Sequence, residues 1–255
     1  MVRAAVLGVL QGLTEFLPVS SSAHLALVPR LTGWPDQGLA YDVALHMGTL
    51  LALVLYFWRD WFRLTRAGLS RQAGPDRRLF WGLVLATFPA VVVGLLFEDR
   101  VEELFRGPRS IAFFLALFGV LLAAADRFGR GEKTTDSIGW RGCLLIGVAQ
   151  ALAVMPGVSR SGVTLTAGLF LGLSRVESAR FSFLLAMPVV FGAGVLSLRQ
   201  LTPAEMDGGF WLGIACSALT GVAVIRFLLD WLGRRGVLPF AVYRLVLAGA
   251  LFFLL

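Results

Sequence analysis

The chain has 255 residues, 57% of them hydrophobic and only 15% charged, whereas a soluble domain carries about a quarter charged residues. The composition therefore predicts an all-α polytopic membrane protein, with residues 1–255 forming a single integral membrane domain. The net charge is +7, and all but one of the 23 basic residues are arginine. These lie in loops between apolar runs without interleaved aromatics, which points to membrane lipids and orientation and not to nucleic acid.

The first thirty residues are apolar but interrupted. Residues 6–17 are too few to cross a bilayer, which takes about 20. They carry Gln11 and Glu15 and then break at Pro18-Val19-Ser20-Ser21-Ser22. A second short helical piece, 23–31, follows. Two half-length helices around a polar break predict a re-entrant hairpin, tolerated only where it is buried in protein or lines a wet cavity.

Three runs of crossing length come next, at about 39–58, 79–97 and 110–125. Then the opening pattern recurs. Gly147-Val148-Ala149-Gln150-Ala151-Leu152 echoes Gly8-Val9-Leu10-Gln11-Gly12-Leu13, and a proline, Val158 and Ser159 follow as Pro18, Val19 and Ser20 did. The second half continues with runs at about 177–198, 209–232 and 237–255. Cys143 and Cys216 both sit inside apolar runs, which argues against a disulfide framework. Two histidines with no Cys-His spacing exclude a structural zinc site. The expected architecture is about six transmembrane helices plus two re-entrant helical hairpins, in repeat halves of about 1–126 and 138–255. An odd number of crossings per half makes this an inverted-topology repeat, with the tips 18–22 and 156–161 meeting near the midplane.

The second tip reads Val154-Met155-Pro156-Gly157-Val158-Ser159-Arg160-Ser161-Gly162-Val163-Thr164. Arg160 stands where a charge is costly unless an anion compensates it. Proline and glycine stop one helix, and Ser-Gly opens the next. The free N–H groups of that helix start attract phosphate. Arginine adds a planar fork that matches phosphate oxygens. Arg160 with the hydroxyls of Ser20, Ser159, Ser161 and Thr164 forms the expected phosphate-binding set.

In the first hairpin Gln11 and Glu15 share a helix face, and His24 lies three residues after Ser21. Carboxylate, serine, imidazole and arginine at one polar gap make a phosphoryl-transfer set. Ser21 is the expected nucleophile and His24 the nearest base. Glu15, with Gln11, would hold a divalent cation or orient His24. Asp42 and His46, four apart, read as supporting or interfacial residues. Arg226 reads as snorkelling from a helix end, and Arg244 as either snorkelling or lining the cavity. A polyprenyl-phosphate transporter or flippase is the competing reading, because inverted repeats with midplane breaks suit carriers. A carrier, however, needs no nucleophile beside a base.

Two long stretches carry a family resemblance: Gln11-Gly-Leu-Thr-Glu15-Phe-Leu-Pro-Val-Ser-Ser21-Ser-Ala-His24 and Pro156-Gly-Val-Ser-Arg160-Ser-Gly-Val-Thr164. Residues 181–188 and 239–244 add to it. The chain resembles the bacitracin-resistance type undecaprenyl-diphosphate phosphatases over nearly its whole length. The resemblance implies hydrolysis of undecaprenyl diphosphate to the monophosphate in peptidoglycan lipid recycling, at the bacterial inner membrane, aided by Mg2+ or Ca2+. It puts function on the positions of Glu15, Ser21, His24 and Arg160, and a homodimer is a further expectation. Many members carry glutamate where this chain has Gln11, a departure that bears on direct metal binding there.

Orientation follows from arginine counting. Fourteen basic residues fall on the side of Arg59, Arg71 and Arg141, and six on the side of Arg3, Arg30 and Arg106. The positive-inside rule makes the richer side cytoplasmic and opens the first hairpin to the outside. Cysteines introduced near Arg30 or Arg106 are expected to react with impermeant thiol reagents from outside. Labelling from the cytoplasmic side alone would reverse the orientation.

Overall fold

The computed structural model describes residues 1–34, 38–129, 131–199 and 201–254. Arg130 and the side chain of Arg30, both counted above for orientation, lie outside the described residues. The first five helices are α1 (Val2–Thr14), α2 (Ser21–Thr32), α3 (Gly38–Leu69), α4 (Pro75–Phe105) and α5 (Pro108–Phe128). The next five are α6 (Trp140–Ala151), α7 (Arg160–Phe170), α8 (Arg175–Leu198), α9 (Gly208–Leu232) and α10 (Leu238–Leu254). Among the described residues, α3, α4, α5, α8 and α9 are long and apolar enough to cross a membrane. The sixth expected crossing, α10, has 17 residues. At 1.5 Å per residue it reaches about 26 Å, short of a typical hydrocarbon core of about 30 Å. Conversely, the runs at 39–58 and 79–97 are only the apolar first part of α3 and the apolar middle of α4, helices with 32 and 31 residues. Arginine and glutamate are good helix formers, so the helices continue past the point where the apolar signal stops.

The short helices come in pairs around a break. Helices α1 and α2 have 13 and 12 residues, α6 and α7 have 12 and 11. The first pair is joined by a turn over 15–20, the second by the 3-10 turn Leu152–Val154 and residues 155–159. Ser20 caps the start of α2 and Ser159 the start of α7. They have φ of 74° and 70° and are the non-glycine residues with positive φ among those described. Holding an L-residue there costs on the order of 1–3 kcal/mol. Both tips therefore use the same strained backbone step into a helix.

Packing ties the two sets of five helices together. Helices α1 and α3 both pack on α9, α6 packs on α4, α5 on α10, and α3 on α8. Helices have no hydrophobic drive to associate within lipid, so close approach through small residues does the work. A Cβ on Gly12 would sit 2.7 Å from the Ser217 carbonyl oxygen, and one on Gly147 would run into that of Ala86. The outer surface carries Leu55, Phe88, Phe113, Leu219 and Val246, while Gln11, Glu15, Thr49, Gln150, Ser182 and Arg244 are buried. Arg226 is exposed six residues before the end of α9, in keeping with snorkelling.

Gly147→Val should force α6 away from α4, lowering stability by roughly 1–3 kcal/mol as overpacking does. A depressed thermal-unfolding midpoint in detergent, beside an unaffected Leu145→Val on the lipid face, is the expected result. A midpoint equal to that of the unmodified protein would contradict the close contact.

Candidate active site

Glu15 and Arg160 close the gap between the two hairpins. Glu15 follows the last residue of α1, and its N–H still bonds the Gln11 carbonyl oxygen at 2.9 Å. Its side chain therefore stays on the Gln11 face of the helix. Arg160 is the first residue of α7. Its Nη2 donates to Glu15 Oε1 at 2.7 Å, across 145 residues of sequence, and both side chains are almost wholly enclosed. The second oxygen, Glu15 Oε2, accepts from Ser21 Oγ at 2.7 Å and from Gln11 Nε2 at 3.1 Å. One carboxylate thus gathers a guanidinium, a hydroxyl and an amide.

Glu15, Ser21 and Arg160 face a cavity of about 330 Å³, and Gln11 lies behind them. Its polar end is made by Glu15, Ser20, Ser21, Ser22, Ser159 and Arg160. Asp42, His46 and Glu98 lie along it, and Val189, Val190, Ala193 and Gly194 of α8 give it an apolar wall. Two helix N-termini open at this polar end. In α2 no side chain caps the first turn. In α7 Ser159 Oγ accepts the Gly162 N–H at 3.2 Å, which leaves the N–H groups of Arg160 and Ser161 without an intrahelical acceptor. Both ends carry positive dipole character and suit an anion. Two buried atoms of the residues joined through Glu15 are among those without a hydrogen-bond partner: Arg160 Nη1, a donor, and Gln11 Oε1, an acceptor. Buried polar atoms are rarely left so, and the Arg160 fork is half used.

The other expected site residues divide. Ser20 and Ser159 line the cavity. Ser161 Oγ instead donates to the Leu17 carbonyl at 3.1 Å and so ties one tip to the other. Thr164 Oγ1 donates to the Arg160 carbonyl at 2.8 Å and meets Ser182 Oγ at 2.6 Å, inside the contact between α7 and α8. His24 is turned toward α10. Its Nδ1 lies 2.7 Å from the Ser20 carbonyl oxygen. A carbonyl only accepts, so Nδ1 carries the proton, and Nε2 accepts from the Tyr243 hydroxyl at 2.6 Å. The hydroxyl of Ser21 therefore meets Glu15 and not His24.

Tyr243 is a neighbour that the residue pattern did not assign, although it falls in the stretch 239–244 that carries the resemblance. Arg244 neither snorkels nor lines the cavity. It is completely enclosed, with its guanidinium on backbone carbonyls. Among the described residues no group of three or more His, Cys, Asp or Glu side chains gathers to hold a metal. Glu15 and the unpartnered Gln11 Oε1 are too few for an all-protein cage. They fit a cation shared with substrate phosphates, the usual arrangement for Mg2+.

The family model described as "Bacitracin resistance protein BacA" matches residues 4–250. The chain belongs to this family. Relatives named undecaprenyl-diphosphatase align over almost their full length. One from Moorella thermoacetica is 47% identical over 248 residues, covering 97% of this chain and 95% of that protein. One from Pelotomaculum thermopropionicum is 49% identical, covering 96% of this chain and 92% of that protein. One from Alcanivorax borkumensis is also 49% identical, covering 98% and 97% respectively.

Glu15→Gln should leave the Arg160 guanidinium enclosed beside a neutral amide, at a cost of about 3–5 kcal/mol for an unpaired buried charge. Neutralising both groups, as Glu15→Gln with Arg160→Gln, is expected to recover part of the lost thermal stability. Strictly additive losses would mean that the two side chains do not act as a pair.

Proposed function

We propose that the protein is an integral membrane phosphatase that hydrolyses undecaprenyl diphosphate to undecaprenyl phosphate and inorganic phosphate, recycling the cell-wall lipid carrier. The observation that carries this reading is the half-used fork of Arg160 beside the Ser21–Glu15 hydrogen bond. A free buried donor next to a nucleophile already bonded to a base is what a phosphoryl group needs. The name borne by the relatives supplies the substrate. The apolar wall of α8 suits the isoprenoid end of a lipid.

In this mechanism Arg160 Nη1 and the N–H groups opening α2 and α7 bind the terminal phosphate. Ser21 Oγ attacks its phosphorus while its proton passes to Glu15 Oε2. The bond from that phosphorus to the bridging oxygen breaks, and the lipid monophosphate leaves. Water then attacks the phosphorus of the phosphorylated serine, Glu15 Oε2 returns its proton to the departing Ser21 Oγ, and inorganic phosphate leaves with both hydrogens of the water. Neutralising Glu15 in the first step loosens its hold on Arg160 and leaves more of that charge for the phosphoryl oxygens. His24 holds the Ser20 backbone at the start of α2. A divalent cation, held by Glu15 and Gln11 together with the diphosphate, would offset negative charge on the substrate.

The same reading includes an inverted relation between the halves 1–126 and 138–255, with α10 as a short sixth crossing. The shared positive-φ serines and the exchanged packing of α1 and α6 support it. The site opens to the outer face of the inner membrane, on the side poorer in arginine. A carrier would want Arg160 but has no use for a hydroxyl bonded to a carboxylate.

Purified protein is expected to release phosphate from a long-chain isoprenyl diphosphate. Ser21→Ala should keep lipid-diphosphate binding and lose turnover by orders of magnitude, as removal of a covalent step does. Arg160→Lys, a point charge in place of a fork, should weaken both. A mild Ser21→Ala effect beside a severe Glu15→Gln effect would mean that water attacks directly. Near-normal hydrolysis in Ser21→Ala, His24→Ala and Glu15→Gln alike would reduce the site to binding, as in a carrier.

A further inference from the structure

Arg244 is the largest fully buried side chain of the described protein, with 0% exposure. No carboxylate among the described residues pairs with it. Its guanidinium is spent on backbone. Nε donates to the Leu115 carbonyl at 3.2 Å and Nη1 to that of Pro18 at 3.3 Å. Nη2 donates to the carbonyls of Gly157 and Val158, each at 2.9 Å. One side chain on α10 thus holds the first tip, the second tip and α5. Burying an unpaired cation is among the costliest arrangements open to a membrane protein, and a packing role alone would be served by an apolar residue.

The consequence lies in the peptide planes. In a trans peptide the C=O and the following N–H point in opposite directions, and the described chain has no cis bond. With the Val158 oxygen drawn to Arg244, the Ser159 N–H points the other way. The Pro18 oxygen is drawn to the same guanidinium, and the Val19 N–H beyond it is taken by the Leu17 carbonyl at 2.8 Å, which pins the first tip's turn. The neighbouring residue completes the frame. Tyr243 donates to His24, whose Nδ1 holds the Ser20 carbonyl, and that bond turns the Ser21 N–H away from α10. The two strained serines, at φ 74° and 70°, sit at the ends of these held peptides, and both line the cavity.

We infer that Arg244 is a positioning residue, assisted by Tyr243: Arg244 anchors both tips and turns the Ser159 N–H toward the diphosphate, and Tyr243, through His24, does the same for the Ser21 N–H. This rests on the phosphatase reading above. Gly162 fits the same arrangement, since a Cβ there would come within 2.9 Å of Arg244 Nη1 and 3.1 Å of Ser159 Oγ.

The test compares Arg244→Met, Arg244→Lys and Tyr243→Phe with Arg226→Met, an exposed membrane arginine that serves as control. Phosphate release from a long-chain isoprenyl diphosphate is normalised to the folded, monodisperse fraction. Inorganic pyrophosphate is the probe of the tips, read by inhibition of release and by protection against thermal unfolding. Folded Arg244→Met is expected to lose about 100-fold in kcat, on the scale of a misplaced catalytic group, and to bind pyrophosphate more weakly. Arg244→Lys should recover part of this. Tyr243→Phe, which removes one hydroxyl, should lose about tenfold in kcat with an unchanged unfolding midpoint. Arg226→Met should match the unmodified protein. Wild-type kcat and pyrophosphate affinity in the folded fraction of both Arg244→Met and Tyr243→Phe would overturn the inference. Should Arg244→Met fail to fold, Tyr243→Phe decides alone. An unmodified protein that releases no phosphate would overturn the phosphatase reading instead, and pyrophosphate protection would still judge the positioning role.

Discussion

A carboxylate and a guanidinium, neither of which is tolerable alone at this depth, hold the molecule's two breaks face to face. Glu15 and Arg160 meet at 2.7 Å, and each removes the other's desolvation problem. Much else is arranged around that contact. Gln11 and Ser21 fill the second carboxylate oxygen, Ser161 bridges to the Leu17 carbonyl, and Arg244 draws in carbonyls from both tips. Weakening the ion pair would leave several buried polar groups with nothing to face.

The same arrangement places strain where chemistry wants it. Two L-serines held at positive φ are costly, and they are kept only because hydrogen bonds on both sides leave the backbone no alternative. The gain is a pair of helix starts aimed at a common space. Such preorganised N–H groups need no rearrangement as charge develops on a substrate. The unfilled half of Arg160 lies in that space as well.

Much of this was legible in the residues, for identifiable reasons. Gln11 and Glu15 announce a shared face because four residues make about one helical turn, and Arg160 stands out because a charge inside apolar sequence demands a partner. Proline and glycine mark both tips. The extents of α3 and α4 were not legible, since charged residues end an apolar run without ending a helix. Nor was the pairing of Ser21 with Glu15. It depends on the backbone turning at Ser20 through a conformation that no serine advertises, and that turn carries His24 round to α10. Thr164 looked like a phosphate ligand because hydroxyls carry no label for direction, and its own helix and Ser182 take it up. Arg244 defeated both readings of it because its partners are carbonyls, which every residue has.

The distance in sequence between Glu15 and Arg160 bears on how the chain is made. A ribosome adding about 5–20 residues per second delivers Glu15 on the order of ten seconds before its partner, 145 positions later. Throughout that interval the first hairpin has neither the guanidinium that neutralises it nor α9, the surface on which α1 packs. It must therefore wait in a shallow or solvated place, and seats itself only when the second half arrives. Final seating of this hairpin is thus a late step that awaits α7 and α9, and a nascent chain cut short before α7 would leave Glu15 with only Gln11 and Ser21 to face it.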